Sequence, residues 1–188
     1  MWEITSVTTE TVSAEEVFAE EKKVKIQWAE MFTEMFDEIS DEFDWHGFNV
    51  KIVVGGTTDA VYDKLIPENS TAGKEKDGVP IGYVDFVERT VYFFATVLAD
   101  EMLYSAQFKH YNEIEEYVRG YIVHEHRHVE QVIAFETSGL NMEKVWQKVI
   151  AERDAYGYFG VMLEQDAFAV QFGCCEWTLD DIVKHYAE

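Results

Sequence analysis

Read along the chain, the elements run as one helix, then three strands, then helices to the end. That order predicts an α+β fold rather than an alternating βαβ one. Two further observations set its scale. The chain has 188 residues, 47% hydrophobic and 15% aromatic, which suits one domain with a sizeable core and is short for two. Acidic residues outnumber basic ones 37 to 15, for a formal net charge of −22, yet 13 Phe, 10 Tyr and 5 Trp are present, too many for a disordered acidic chain. Residues 1–188 are therefore read as a single domain, with a helix-plus-sheet half over 1–111 and a helical half over 112–188.

The first helix starts near Ser13, where Ser13 and Glu16 have capping-box spacing. Val17, Val24, Trp28, Met31, Phe32, Met35, Ile39 and Phe43 recur at helical spacing, and Gly47 supplies a stop. Phe48–Val54 is β-branched and predicts a strand ended by Gly55-Gly56. Val79–Val87 and Thr90–Leu98 predict a hairpin turning at Glu88-Arg89. A short helix is expected over Thr58–Ile66, followed by a polar loop, Glu68–Gly78, bracketed by the only two prolines, Pro67 and Pro80. Beyond Asp100 the pattern is helical. One helix runs from Asn112 to Thr137 with Gly139 as its stop, another from Asn141 to Tyr156, a third to Phe172, and a last one opens at Thr178 and Asp181.

Charge and composition exclude several classes. A surface of this sign repels phosphate backbones and anionic lipid heads, so neither nucleic acid nor a membrane surface is an expected partner. No apolar run approaches the roughly 18 residues of a membrane span. The first residues, Met1-Trp2-Glu3-Ile4-Thr5, do not read as a secretory signal, so a cytoplasmic setting is expected, with a virus-encoded intracellular or virion protein as the alternative. Cys174 and Cys175 are adjacent and read as ordinary helix-end residues. Gly55-Gly56 lacks the Lys-Ser/Thr of a phosphate loop, and no G-x-S-x-G nucleophile elbow occurs.

The stretch Tyr121–Gln131, YIVHEHRHVEQ, holds the chemistry: His124, Glu125 and His128 form H-E-x-x-H. Residues four apart on a helix lie one turn above each other, so the two imidazoles converge on one point. Zinc takes such nitrogens and usually wants a third protein ligand plus water at a catalytic site, with the intervening Glu placed to take a proton from that water. Val118, Ile122, Val129 and Ile133 mark the buried stripe of this helix. His124, Glu125 and His128 fall on or beside it, where a carboxylate and two imidazoles need strong partners. His126 lies about 200° around the helix from His124 and is expected on the surface. Arg127 is expected on the surface or paired with a carboxylate.

Two lookalike E-x-D-A segments offer the third ligand, one at Glu152 and one at Glu164. Glu164 sits among Val161, Met162, Leu163, Ala167, Phe168 and Val170, so its acid is the costlier to leave without a counter-charge. Glu152 follows Lys148 and precedes Arg153, a more ordinary solvated setting. Glu164 is favoured, with Glu152 as the alternative and Asp166 in reserve, either as a ligand or as a partner to an imidazole.

HEHRHVEQ, followed by Glu164 in YFGVMLEQDAFA 36 positions beyond His128, resembles the gluzincin metallopeptidases. More narrowly, it resembles the small single-domain minigluzincins and related archaeal and viral proteins. The resemblance implies a small zincin-like domain: a helix, a small sheet, an active-site helix, and a following helix carrying the glutamate ligand. It implies His124 and His128 as zinc ligands, Glu125 as general base, Glu164 as third ligand, and hydrolysis of a peptide or protein substrate. No H-x-x-G-x-x-H/D extension follows His128, and position 168 is Phe where a Glu-x-x-x-Asp motif would need Asp.

From these readings a Zn2+-dependent metallopeptidase is expected; the resemblance implies latency through a terminal segment covering the cleft as an open alternative to an active form. Trp177–Glu188 is the expected cover, an edge strand of the hairpin is the expected peptide-binding element, and Tyr156, Tyr158 and His185 are candidate oxyanion donors. The acidic surface favours basic substrates. The alternatives are a catalytically idle metal-binding structural protein, for instance of a virus particle, and an acidic mimic or inhibitor of a basic partner.

Overall fold

The central strand organises the first half of the molecule. In the computed structural model, which describes residues 14–54, 81–95, 97–99, 111–174 and 177–188, β1 (Asn49–Val53), β2 (Gly82–Asp85) and β3 (Thr90–Phe94) form a mixed sheet of order β1-β3-β2. β3 pairs parallel with β1 and antiparallel with β2. The predicted hairpin is present, but β2 ends at Asp85 rather than Val87, so the turn spans residues 86–89 instead of Glu88-Arg89 alone. Its turn is built by Asp85, whose carboxylate accepts from the Val87 and Glu88 amides at 3.0 and 2.9 Å. The second hairpin strand is shorter than expected. It ends at Phe94, and the backbone turns helical at Ala95 rather than continuing to Leu98. As the central strand, β3 offers no edge, so β2 is the hairpin's edge strand among the described residues.

Side chains alternate across the sheet. Gly82, Val84, Val91 and Phe93 share the face that meets the helices, because register sets Gly82 opposite Phe93 and Val84 opposite Val91. Helix α1 (Ala14–Ser40) packs there through Phe32, Met35, Phe36 and Ile39, all buried, with Phe36 stacked on Phe93 at 4.7 Å. Helix α2 (Tyr111–Thr137) adds Val118, Ile122, Val129 and Val132. Ile133, expected on the buried stripe, is partly buried against the same core. Gly139, at φ +69°, lies just beyond the end of α2, in the left-handed backbone that glycine adopts without strain.

A second core lies toward the far end of α2. Phe135 packs with Val145 and Val149 of α3 (Met142–Tyr156), Val161 and Leu163 around the start of α4 (Met162–Gln171), and Ile182 and Tyr186 of α5 (Leu179–Ala187). The predicted helix starts hold at two places. Asn141 accepts from the Lys144 amide, and Thr178 and Asp181 form a reciprocal capping box. The molecule is α+β. No helix among the described residues is long and apolar enough to cross a membrane. The helix expected over 58–66, the loop 68–78, the Ser13 cap and Cys175 lie outside the described residues.

Candidate metal centre

Three side chains from two helices converge. His124 and His128, one turn apart on α2, bring their Nε2 atoms to 3.2 Å. Glu164, in the first turn of α4, places Oε2 3.4 Å from His124 Nε2 and 3.5 Å from His128 Nε2. Both histidines are buried and Glu164 is half-buried. Glu164 Oε2 and His124 Nδ1 are buried atoms with no hydrogen-bond partner among the described residues. A carboxylate oxygen set between two ring nitrogens calls for positive charge, which a protonated ring or a bound metal ion would supply. The group could hold a metal ion.

Electrostatics agree with that requirement. Burial opposes a charge on His128, but the adjacent Glu164 carboxylate outweighs it and raises the ring's pKa to about 9. Burial likewise works against the Glu164 carboxylate, yet the two imidazoles hold its pKa well below the usual carboxylate range. Without a metal, a proton on His128 is the cation that satisfies the triangle. Glu125 differs. It is buried, and desolvation pushes its carboxyl upward despite the two nearby histidines. It lies against the sheet at Gly82. A Cβ on Gly82 would fall 2.5 Å from Glu125 Cγ and Oε1, so the edge strand approaches the acid as closely as a residue without a side chain permits.

A buried chain of polar groups fixes the His128 ring. Gln131 donates its amide hydrogens to Leu163 O at 3.0 Å and Asp166 Oδ2 at 2.7 Å. Its carbonyl oxygen therefore faces His128 Nδ1 at 2.9 Å, and Nδ1 must be the donor. In the neutral ring, the form that can hold a metal, the Nε2 lone pair then points to the centre. Asp166 is fully buried and takes Arg127 in a two-pronged pair at 2.7 and 3.1 Å. Asp166 thus acts on the imidazole through Gln131 rather than as a ligand. Gln131 was not singled out from the sequence. Its signal was only its spacing, three residues beyond His128 and so on the same helix face.

Other sequence expectations are corrected here. Glu152 is not solvated: its side chain is 12% exposed. It accepts from His185 and Tyr186 of α5 and from the Met162 amide at the start of α4. It thus anchors helices instead of joining the histidines. Arg127 is half-buried and paired with Asp166, one of the two settings expected for it. His126 points away from the centre as expected but is not a free surface residue. It packs against Phe43 and Trp45 at 5.1 and 5.4 Å, and its Nε2 meets Asp44 O at 2.9 Å. Among the candidate oxyanion donors, His185 is engaged with Glu152 and Tyr156 is 75% exposed. Tyr158 reaches the ring of Phe168, which itself lies against His124. The expected cover is a packed helix: Ile182 and Tyr186 are buried in the second core, beside Phe135 beyond the histidines. Cys174 is exposed at the end of α4, its amide bonded to Ala169 O.

Comparison with protein-family models, with curated proteins and with solved structures finds no match to this chain, so the reading of the centre rests on its own residues.

Proposed function

We propose that the protein is a zinc-dependent metallopeptidase of the gluzincin kind, with a small zincin-like domain. The observation that carries the proposal is the triangle of donor atoms. Three donors bound tetrahedrally to zinc at roughly 2.0–2.1 Å stand about 3.3–3.4 Å apart. His124 Nε2, His128 Nε2 and Glu164 Oε2 stand 3.2, 3.4 and 3.5 Å apart. Two imidazoles with one carboxylate favour zinc over the oxygen-seeking magnesium and calcium. When bound, zinc supplies a Lewis acid that polarises a substrate carbonyl and makes a water more acidic.

The chain's own residues supply the rest. Glu125, beside the triangle and raised in pKa by burial, takes the proton of the attacking water and returns it to the leaving nitrogen. Gln131 holds His128 in the tautomer that frees Nε2. β2, the edge strand that passes over Glu125 at Gly82, aligns an extended peptide by adding it to the sheet.

Protein purified without an affinity tag should carry close to one zinc per chain, and His128→Ala should lose it. Glu125→Gln should keep the zinc and lower kcat by about a hundredfold or more, the usual contribution of a general base. Retained turnover in that variant would sink the peptidase reading. A zinc-loaded protein with no hydrolysis across a broad peptide library would favour the idle metal-binding alternative.

A further inference from the structure

An aromatic ledge runs outward from the metal centre. Phe168, one turn beyond Glu164 on α4, sets its ring 4.5 Å from the ring of His124. Phe172, one turn further, is stacked on Phe168 at 6.4 Å with the planes 12° apart. Phe159, from the 3-10 turn Tyr158–Gly160, meets Phe168 at 5.6 Å. The ledge is fixed and open at once. Gln165 donates to Phe159 O at 3.1 Å, tying the turn to α4, while Phe159 is 70% exposed and Phe172 72% exposed. Scattered exposed apolar residues are ordinary, but a contiguous stacked group marks a binding surface.

We propose that Phe159, Phe168 and Phe172 form a side-chain subsite of the metal centre. Its occupant is an aromatic or large aliphatic residue next to the bond held at His124, His128 and Glu164. The inference rests on the metallopeptidase reading and adds the substrate class. Continuity decides the occupant: Phe168 touches the ring of His124, and Phe159 and Phe172 continue from it, so the ledge adjoins the centre. Exposed ring faces attract a basic side chain only weakly, by about 0.5–1 kcal/mol, whereas stacked faces suit a flat or bulky apolar group. Net charge alone would have favoured a basic residue at this position. The ledge selects an apolar one there and leaves the acidic surface to act at longer range.

The test uses the zinc-loaded full chain and a set of hydroxamates, which chelate zinc. Each carries a benzyl, isobutyl, methyl or 4-aminobutyl side chain on one side or the other of the chelating group, and acetohydroxamate is the bare reference. Calorimetric titration should show the benzyl compound binding roughly ten- to a hundredfold more tightly than the methyl one on one of the two sides. Phe159→Ala and Phe172→Ala, both at exposed positions, should shrink that ratio to within about threefold while the affinity for acetohydroxamate is kept, and Phe172→Leu should restore part of it. Equal binding of benzyl and methyl compounds on both sides, or tightest binding by the aminobutyl compound, overturns the subsite. A concentration-dependent dimer that Phe172→Ala abolishes, with the hydroxamate ratios unchanged, overturns it in favour of a second copy of the chain. Failure of acetohydroxamate itself to bind overturns the metal reading beneath it, which separates the two failures.

Discussion

Gln131 is the residue on which the tautomer of His128 turns. Its amide nitrogen is committed to Leu163 O and Asp166 Oδ2, so only its oxygen is left for the ring. Gln131→Leu would remove that acceptor and strip Asp166 of a donor in a buried place. Zinc affinity, measured by competition with a chelating dye, should fall by about 10- to 100-fold, the usual cost of losing a partner to a metal-binding histidine. His124 has no such partner among the described residues. Its Nδ1 is buried, and the ring of Phe168 lies against it. The two histidines are thus held differently, one by a hydrogen-bonded chain and one by an aromatic face.

At the scale of elements, the setting of Glu125 depends on how closely β2 and α2 approach. Gly82 makes that contact, and a methyl group there would overlap Glu125 Cγ, Cδ and Oε1 at 2.5–2.6 Å. The overlap falls on the inner part of a buried side chain rather than on a free tip, so Glu125 or the strand must shift. Gly82→Ala should therefore cost about 1–3 kcal/mol of stability, the usual range for overpacking. It should lower kcat/KM at least about tenfold while zinc content stays at the wild-type level. Thermal unfolding, metal analysis and peptide turnover on the same preparation check all three. Unchanged turnover would mean that the strand does not position the acid. Helix α4 is held with equal care. Glu152 accepts from its first amide, and Asp166 ties it to Arg127 and Gln131 of α2.

For the whole molecule, the centre links folding, metal and proton. The raised pKa of His128, about 9 in the metal-free fold, stands above the value of about 6.5 expected of the unfolded chain. The metal-free protein therefore has this contribution to its stability in full below about pH 6.5 and loses it as pH rises through about 9. On the proposed reading, zinc would displace the same proton. Uptake at pH 7 should release about one proton per chain, and affinity should rise with pH up to about 9. Titration calorimetry in two buffers of different ionisation enthalpy reads the proton count, and a count near zero would contradict the assignment. Because a bound ion would join α2 to α4, chelation of the zinc-loaded protein should lower Tm by an amount that grows with the zinc affinity lost.

Hydrophobic spacing and caps carried most of the element order in the sequence. The spacing of Val118, Ile122 and Val129 marked the helix of the centre, Asn141 and Thr178 marked two helix starts, and the Glu88-Arg89 region marked the hairpin. His124, Glu125 and His128 were legible because their contact is local: a helical turn fixes the distance between residues four apart. What local spacing cannot fix is a partner from a distant segment. Two E-x-D-A segments looked alike along the chain, and packing alone gave Glu164 to the histidines and Glu152 to α5. The same holds for Gln131, for Gly82 against Glu125, and for the rings set beside His124. Each exists only where two elements meet, because the relative placement of helices and strands is decided by how their buried faces pack.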